Sequence, residues 1–217
     1  MMLFKDYFSI NKWMFFLSFS VINILIVFLT KKILINEDVF YNSFQEQISY
    51  EKSLELYETL MHYGWTSFIL TPLVFLLKAF IITVIIYIGF IITGKLFSIS
   101  MRDIFSVVLA SEIWFVVGGL AKFISAFFLK DISTINDLTY YYPLSLLSIF
   151  NYHELDPIWL IPFQTLNLFH LCYIIFLALG IQYKCKVSRS DAERIILTTY
   201  LPSLFIWILI IMFFSIH

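Results

Sequence analysis

Over residues 68–92 the chain carries a single charge, Lys78, and the last twelve of those residues read IITVIIYIGFII. A half-buried strand alternates polar and apolar side chains, whereas this segment is apolar on every side. Coiled as an α-helix it is about 37 Å long at ~1.5 Å per residue, enough to cross the ~30 Å of bilayer hydrocarbon. Hydrocarbon offers the backbone no hydrogen-bond partners, so only helices and closed barrels cross it, and the alternation of a barrel is missing. Four further runs meet the same test, at 13–30, 104–129, 160–181 and 195–214. The expectation is an all-α integral membrane protein, a five-helix transmembrane bundle forming one domain over residues 1–217.

Composition agrees. The chain is 61% hydrophobic and 13% charged, against roughly half and a quarter in soluble domains. Too little polar surface is left to coat a water-exposed globule. Lys5 and Lys12 precede the first run, which ends in Thr30-Lys31-Lys32-Ile33 without a small-x-small cleavage site. It reads as a retained span rather than a leader.

Two connecting stretches are expected to be structured. Residues 36–63 open with Asn36-Glu37-Asp38, a cap followed by acids. Phe40, Phe44, Ile48, Leu54, Tyr57 and Met61 then recur at helical spacing, which predicts an amphipathic helix outside the membrane core. Residues 140–159, aromatic-rich and bracketed by Pro143 and Pro157, predict a short interfacial or re-entrant helix.

Basic residues orient the bundle. With a cytoplasmic N-terminus, eight fall inside (Lys5, Lys12, Lys95, Arg102, Lys184, Lys186, Arg189, Arg194) and four outside (Lys31, Lys32, Lys52, Lys130). The bias predicts N-in and C-out, with Lys184, Lys186, Arg189 and Arg194 as the cytoplasmic anchor. Lys31 and Lys32 run against it unless they snorkel to the outer interface.

Lys78, Glu112, Lys122 and His170 fall inside the apolar runs. A charged side chain at mid-bilayer costs about 2.5–3.5 kcal/mol on insertion scales, so each needs a reason. Lys78 and His170 lie ten residues from the outer ends of their runs and Glu112 eight from the inner end of its own, so all three approach the midplane. Lys122 is nearer the outer face. One reading is an ion relay or a polar-substrate site. The other is a structural Lys78–Glu112 pair, with His170 bonded to a hydroxyl or carbonyl. Counted from the hairpin between their runs, Lys78 is 14 residues away and Glu112 eight. That offset of six is ~9 Å along the axis, within reach but stretched. Gly118-Gly119 marks a kink or a close-packing spot.

Other chemistry is not indicated. The segment His153-Glu154-Leu155-Asp156 reads as a loop turn before Pro157, and His62, His153 and His217 lack ligand spacing. GxxxxGK[ST], HExxH and GxSxG are missing, and nothing has the basic footprint of a nucleic-acid binder. Cys172 and Cys185, 13 residues apart on one helix, are about 20 Å apart and do not bridge.

In the last third, Asp156-Pro157 precedes an aromatic-rich run ending in Leu179-Gly180. A short basic loop follows, then Ser188, Ala192 and a final run containing Leu201-Pro202. This layout resembles the last two spans of the YIP (Ypt-interacting protein) family, and the likeness extends over residues 65–217. The resemblance implies a five-span membrane protein that binds partners and catalyses nothing. The long N-terminal region of eukaryotic members has no counterpart here, so GTPase binding is not carried over. Ile, Phe, Lys and Asn usage suits a bacterial branch. The expected function is a non-enzymatic inner-membrane scaffold or accessory subunit, in contact with membrane lipids and a membrane-protein partner, without cofactor, metal or nucleic acid. The alternative is a small transporter, channel or lipid-handling protein using the polar residues in the membrane.

Overall fold

The computed structural model describes residues 2–94 and 99–215. Lys95 and His217 therefore lie outside the described residues. All regular elements among those described are helical. A short helix α1 (Met2–Ser9) leads to α2 (Lys12–Leu29), started by Asn11, whose side chain accepts the Trp13 N–H. A widened π turn, Thr30–Leu34, extends α2. Next come α3 (Glu37–Phe44), capped by Asn36, and α4 (Tyr50–His62), capped by Ser49. A tight 3-10 turn, Tyr63–Trp65, joins α4 to α5 (Thr66–Ile92).

After the hairpin come α6 (Met101–Ser111), capped by Ser100, and α7 (Ile113–Leu129). The short α8 (Ile135–Tyr140) opens with a capping box between Thr134 and Asp137. Two 3-10 turns, Leu146–Ile149 and Tyr152–Glu154, lead to α9 (Pro157–Thr165), where Asp156 is the cap and Pro157 occupies the first turn that needs no N–H. The chain ends with α10 (Leu168–Lys184), α11 (Arg189–Ile195), the π turn Ile196–Tyr200 and α12 (Leu201–Ser215). That second π turn stands directly before Pro202, which has no N–H to give and whose ring crowds the preceding turn.

Four helical stretches are long and apolar enough to cross a membrane: Lys12–Leu34, Tyr50–Ile92, Met101–Leu129 and Arg189–Ser215. The expected run 160–181 is not one helix. Thr165 ends α9 and Asn167 restarts the chain as the cap of α10, its Oδ1 accepting the His170 N–H at 2.8 Å. A side chain that can hold a helix N-terminus outcompetes continuation of the ladder. What remains, α10, is apolar but only 17 residues long.

Three further expectations are corrected. The 36–63 stretch holds two helices, α3 and α4, in place of one, and α4 continues through the tight turn into α5. Residues 140–159 hold two 3-10 turns and the start of α9 in place of one short helix. They are tied to the start of α10 by paired backbone bonds, Leu146 N–H to Leu166 O (2.8 Å) and Leu168 N–H to Leu144 O (3.0 Å). The interruption in the third run falls at Glu112, not at Gly118-Gly119, which lie within the unbroken α7. Gly118 is a close-packing spot, where an added Cβ would collide with the Tyr142 hydroxyl and crowd the Phe169 ring.

Helix α6 forms the centre. Ile104, Val107, Val108, Leu109 and Ala110 are fully buried, and α1, α2, α5 and α10 all pack around it. Helix α10 packs on α6 and α7, burying Phe169, Tyr173, Leu177 and Ile181, one apolar stripe at helical spacing. Gly180 lets α10 and α6 close: a Cβ there would lie 2.5 Å from Val107 Cγ1 and 2.7 Å from Phe8 Cε1. By contrast, α12 has no buried residue and leans on α9 and the π turn before it.

The two ends of the bundle differ. At one, Lys184 Nζ donates to the Phe8 carbonyl (3.3 Å) and Lys12 stands 5.4 Å from the centre of the Phe105 ring. Lys186 takes a left-handed conformation in the turn after α10, and Arg189 pairs with Glu193 one helical turn on. Arg194 is exposed. At the other end, Asn42 and Ser43 of α3 bond the backbone at Ser133 and Ile135. Lys31 is anchored there rather than free, donating to Ser67 Oγ at 2.6 Å.

Candidate functional site

The polar residues of the apolar runs converge on one region. Lys78, on α5, donates to Glu112 Oε2 at 2.9 Å. The stretched offset expected from the sequence disappears because Ser100 starts α6 at Met101, three residues earlier than the apolar pattern implies. Glu112 is then 11 residues into its helix and Lys78 14 from the end of its own. An offset of three residues is about 4.5 Å, which two side chains span easily. The turn at Glu112 between α6 and α7 completes the alignment. The pair is lopsided: the Lys78 side chain is 39% exposed and that of Glu112 3%.

Aromatic rings complete the surroundings of Lys78. Its ammonium stands 3.6 Å from the centre of the Phe115 ring and 5.6 Å from that of Tyr173. Cation–π attraction strengthens when water is excluded. Glu112 Oε1 and the Tyr173 hydroxyl are both buried and interact electrostatically, yet neither makes a hydrogen bond of good geometry.

His170 is buried in the first turn of α10, not mid-span as the undivided run implied. Its Nε2 lies 2.8 Å from the Tyr200 hydroxyl, and the Thr165 carbonyl also bonds the imidazole. With a carbonyl at one nitrogen, the neutral ring donates there and accepts the tyrosine proton at the other. The π turn rotates Tyr200 inward to meet it; the same turn leaves Ser203 and Leu204 half-buried on the side facing α5.

Lys122 stands apart. Its Nζ donates to the Thr139 carbonyl at 3.4 Å and lies 5.9 Å from the centre of the Tyr142 ring. Gln164 Nε2 donates to the same carbonyl at 2.7 Å. Among the described residues no carboxylate is within 4.0 Å of Lys122.

These side chains line a cleft of about 800 Å³ between α5, α7, α10 and α12. One wall is apolar, formed by Val74, Leu77, Ile81 and Ile85 of α5 against Leu204 and Trp207 of α12. Lys122, Tyr142, Gln164, Asn167 and His170 also line the cleft, together with Lys78 of α5, which turns toward Glu112. Leu77 and Trp207 are more than half exposed, so the cleft opens sideways between two apolar helices rather than only at an end.

The chain matches no family model, no curated protein and no solved structure. Function has to be read from the cleft. The sequence pointed to Lys78, Glu112, Lys122 and His170, and three of the four line it, with Glu112 directly behind Lys78. Tyr200, Phe115, Gln164 and the Thr139 carbonyl were not anticipated. The basic anchor residues Lys184, Lys186, Arg189 and Arg194 take no part in it. Among the described residues no three His, Cys, Asp or Glu side chains gather as a metal site would require. Cys172 and Cys185 are free thiols.

Proposed function

We propose that the chain is a five-helix bundle of a bacterial inner membrane that binds an amphiphile in the lateral cleft and catalyses no reaction. The observation that carries the reading is the cleft itself: about 800 Å³, a mainly apolar lining with a few polar side chains among it, and an opening onto exposed apolar side chains. A volume of that order suits a lipid-sized ligand, and a few convergent polar groups are what fix such a ligand's orientation. Non-catalytic binding is favoured because the reactive groups are already engaged. Lys78 is held by Glu112, and both nitrogens of His170 have partners. In this reading α10 is the fifth crossing, running from the Ser145–Asn167 bridge at one end to the Phe8 carbonyl at the other. The likeness of Asp156-Pro157, Leu179-Gly180 and Leu201-Pro202 to the YIP layout supports the five-span, non-enzymatic assignment.

Delipidated protein in a neutral detergent tests it. Added long-chain amphiphiles should bind stoichiometrically by native mass spectrometry and raise the melting temperature. Ser203→Phe, which fills the cleft from a half-buried position on α12, should abolish both effects. Absence of any stoichiometric amphiphile on the parent protein would end the proposal.

A second reading, an accessory subunit that scaffolds a membrane-protein partner, has its own observation. Helix α12 has no buried residue, and Phe205, Ile206, Leu209 and Ile210 are exposed on it, open to lipid or to a partner helix. Co-purification of a stoichiometric membrane protein, lost on replacing exposed Phe205 and Ile206 by alanine, would favour it.

A further inference from the structure

We infer that the cleft selects an anionic lipid, whose headgroup pairs with Lys122 while its acyl chain lies against the α5–α12 wall; this rests on the amphiphile reading above. The argument is a charge balance. Lys78 and Lys122 both face the cleft, and Glu112 behind it neutralises only Lys78, at 2.9 Å. His170 is buried and, among the described residues, has no carboxylate within 4.0 Å to hold a proton on it, so its imidazole stays neutral at pH 7. One positive charge is left over. Lys122 has only the Thr139 carbonyl at 3.4 Å and the Tyr142 ring at 5.9 Å, and neither carries an opposite charge. Anionic oxygens are the missing complement, and charge-assisted bonds in a partly desolvated cleft are the strong kind.

The surroundings of Lys122 fit a headgroup. Gln164 and Asn167 line the same cleft, and the Gln164 amide already reaches toward Lys122 by sharing the Thr139 carbonyl. Lys122 is seven residues from the end of α7, at the end of the bundle where α8 and α9 close over the cleft. From there Leu77, Ile81 and Ile85 continue down α5 at helical spacing, opposite Leu204 and Trp207. A polar end near the helix termini followed by an apolar wall is the order of a lipid. It gives a free inorganic anion no use for most of the cleft.

Delipidated protein is titrated with dioleoyl phosphatidylglycerol and with dioleoyl phosphatidylcholine, with occupancy read by native mass spectrometry. The anionic lipid should bind about tenfold tighter, as expected for one charge-assisted pair. Lys122→Gln should erase the preference, so that the two lipids bind with equal affinity; Lys122→Arg should keep it. Lys52→Gln, a lysine paired with Glu55 away from the cleft, should have no effect. Equal affinities for the two lipids in the parent protein would overturn the selectivity while leaving the amphiphile reading intact. No binding of either lipid would remove both. A preference that survives in Lys122→Gln would assign the selectivity elsewhere and overturn the role of Lys122. Competition by millimolar inorganic phosphate as strong as by phosphatidylglycerol would overturn the lipid as the source of the anion.

Discussion

Lys78 and Glu112 bury different amounts of side chain, and that asymmetry decides what each deletion does. Glu112 is enclosed, so removing its partner strands a carboxylate in low dielectric. Lys78 is open to the cleft, so removing Glu112 leaves an ammonium that keeps the Phe115 ring and some solvent. Lys78→Met should therefore lower stability by on the order of 3 kcal/mol, toward the low end for broken buried pairs. Glu112→Gln should cost less. The double variant should recover much of the Lys78→Met loss, because no buried charge remains. Thermal melts in detergent, arranged as a double-mutant cycle, measure the coupling. Strictly additive losses would mean that the 2.9 Å contact carries no coupling energy. The sequence revealed this pair through two isolated charges in apolar runs, each needing a counter-charge. It concealed the aromatic residues around them, since Phe115, Tyr173 and Tyr200 are three among 25 Phe and 13 Tyr.

At the scale of elements, helix starts were legible where a cap was followed by a recognisable first turn. Asn36 before Glu37-Asp38 behaves as read; Asp156 before Pro157 and Ser188 before α11 are caps as well, although neither was read as one. Asn167 was not legible, because a lone amide inside an apolar run looks like a tolerated polar residue; only its bond to the His170 N–H reveals a helix start. Neither π turn has a hydrophobic pattern of its own.

The Thr134–Asp137 box also failed to stand out, yet it holds α8 in place. Ser133 and Thr134 donate four bonds to Asp137 Oδ2, between 2.8 and 3.1 Å, and the Tyr152 hydroxyl donates to Oδ1 at 2.6 Å. Burial pushes the Asp137 carboxyl up, but the bonds from Tyr152, Ser133 and Thr134 outweigh it and hold the group down at about 2. The folded value thus lies below the unfolded one of about 3.9. The stabilisation is fully present above pH ~4 and fades as pH falls through ~2. Amides of residues 133–152 should exchange hydrogen faster at pH 2.5 than at pH 6, after correction for intrinsic rates, and Asp137→Asn should exchange fast at both. Unchanged protection across that range would remove Asp137 as the lock of this segment.

On the scale of the whole molecule, the question is how many times the chain crosses. Helix α10 is about 25 Å long at ~1.5 Å per residue, a little short of the ~30 Å hydrocarbon thickness. A short span is accommodated by local thinning or by snorkelling flanks at modest cost, and Lys184 at its last turn is such a flank. The composition made four crossings plain through sheer length. The fifth run, 160–181, also read as a crossing, and the Asn167 break shortens it to the 17 residues of α10. Parity gives the test. With five crossings and the positive-inside bias, Lys52 faces outward and Lys186 faces the cytoplasm. In a background with Cys172 and Cys185 replaced by serine, Lys52→Cys should react with a membrane-impermeant maleimide in intact spheroplasts. Lys186→Cys should react only after permeabilisation. Both positions are exposed in the fold, so silence at Lys186 reflects sidedness rather than burial. If α10 instead stayed on the side where α7 ends, the two cysteines would share a compartment and label together. Co-labelling would reduce the bundle to four crossings.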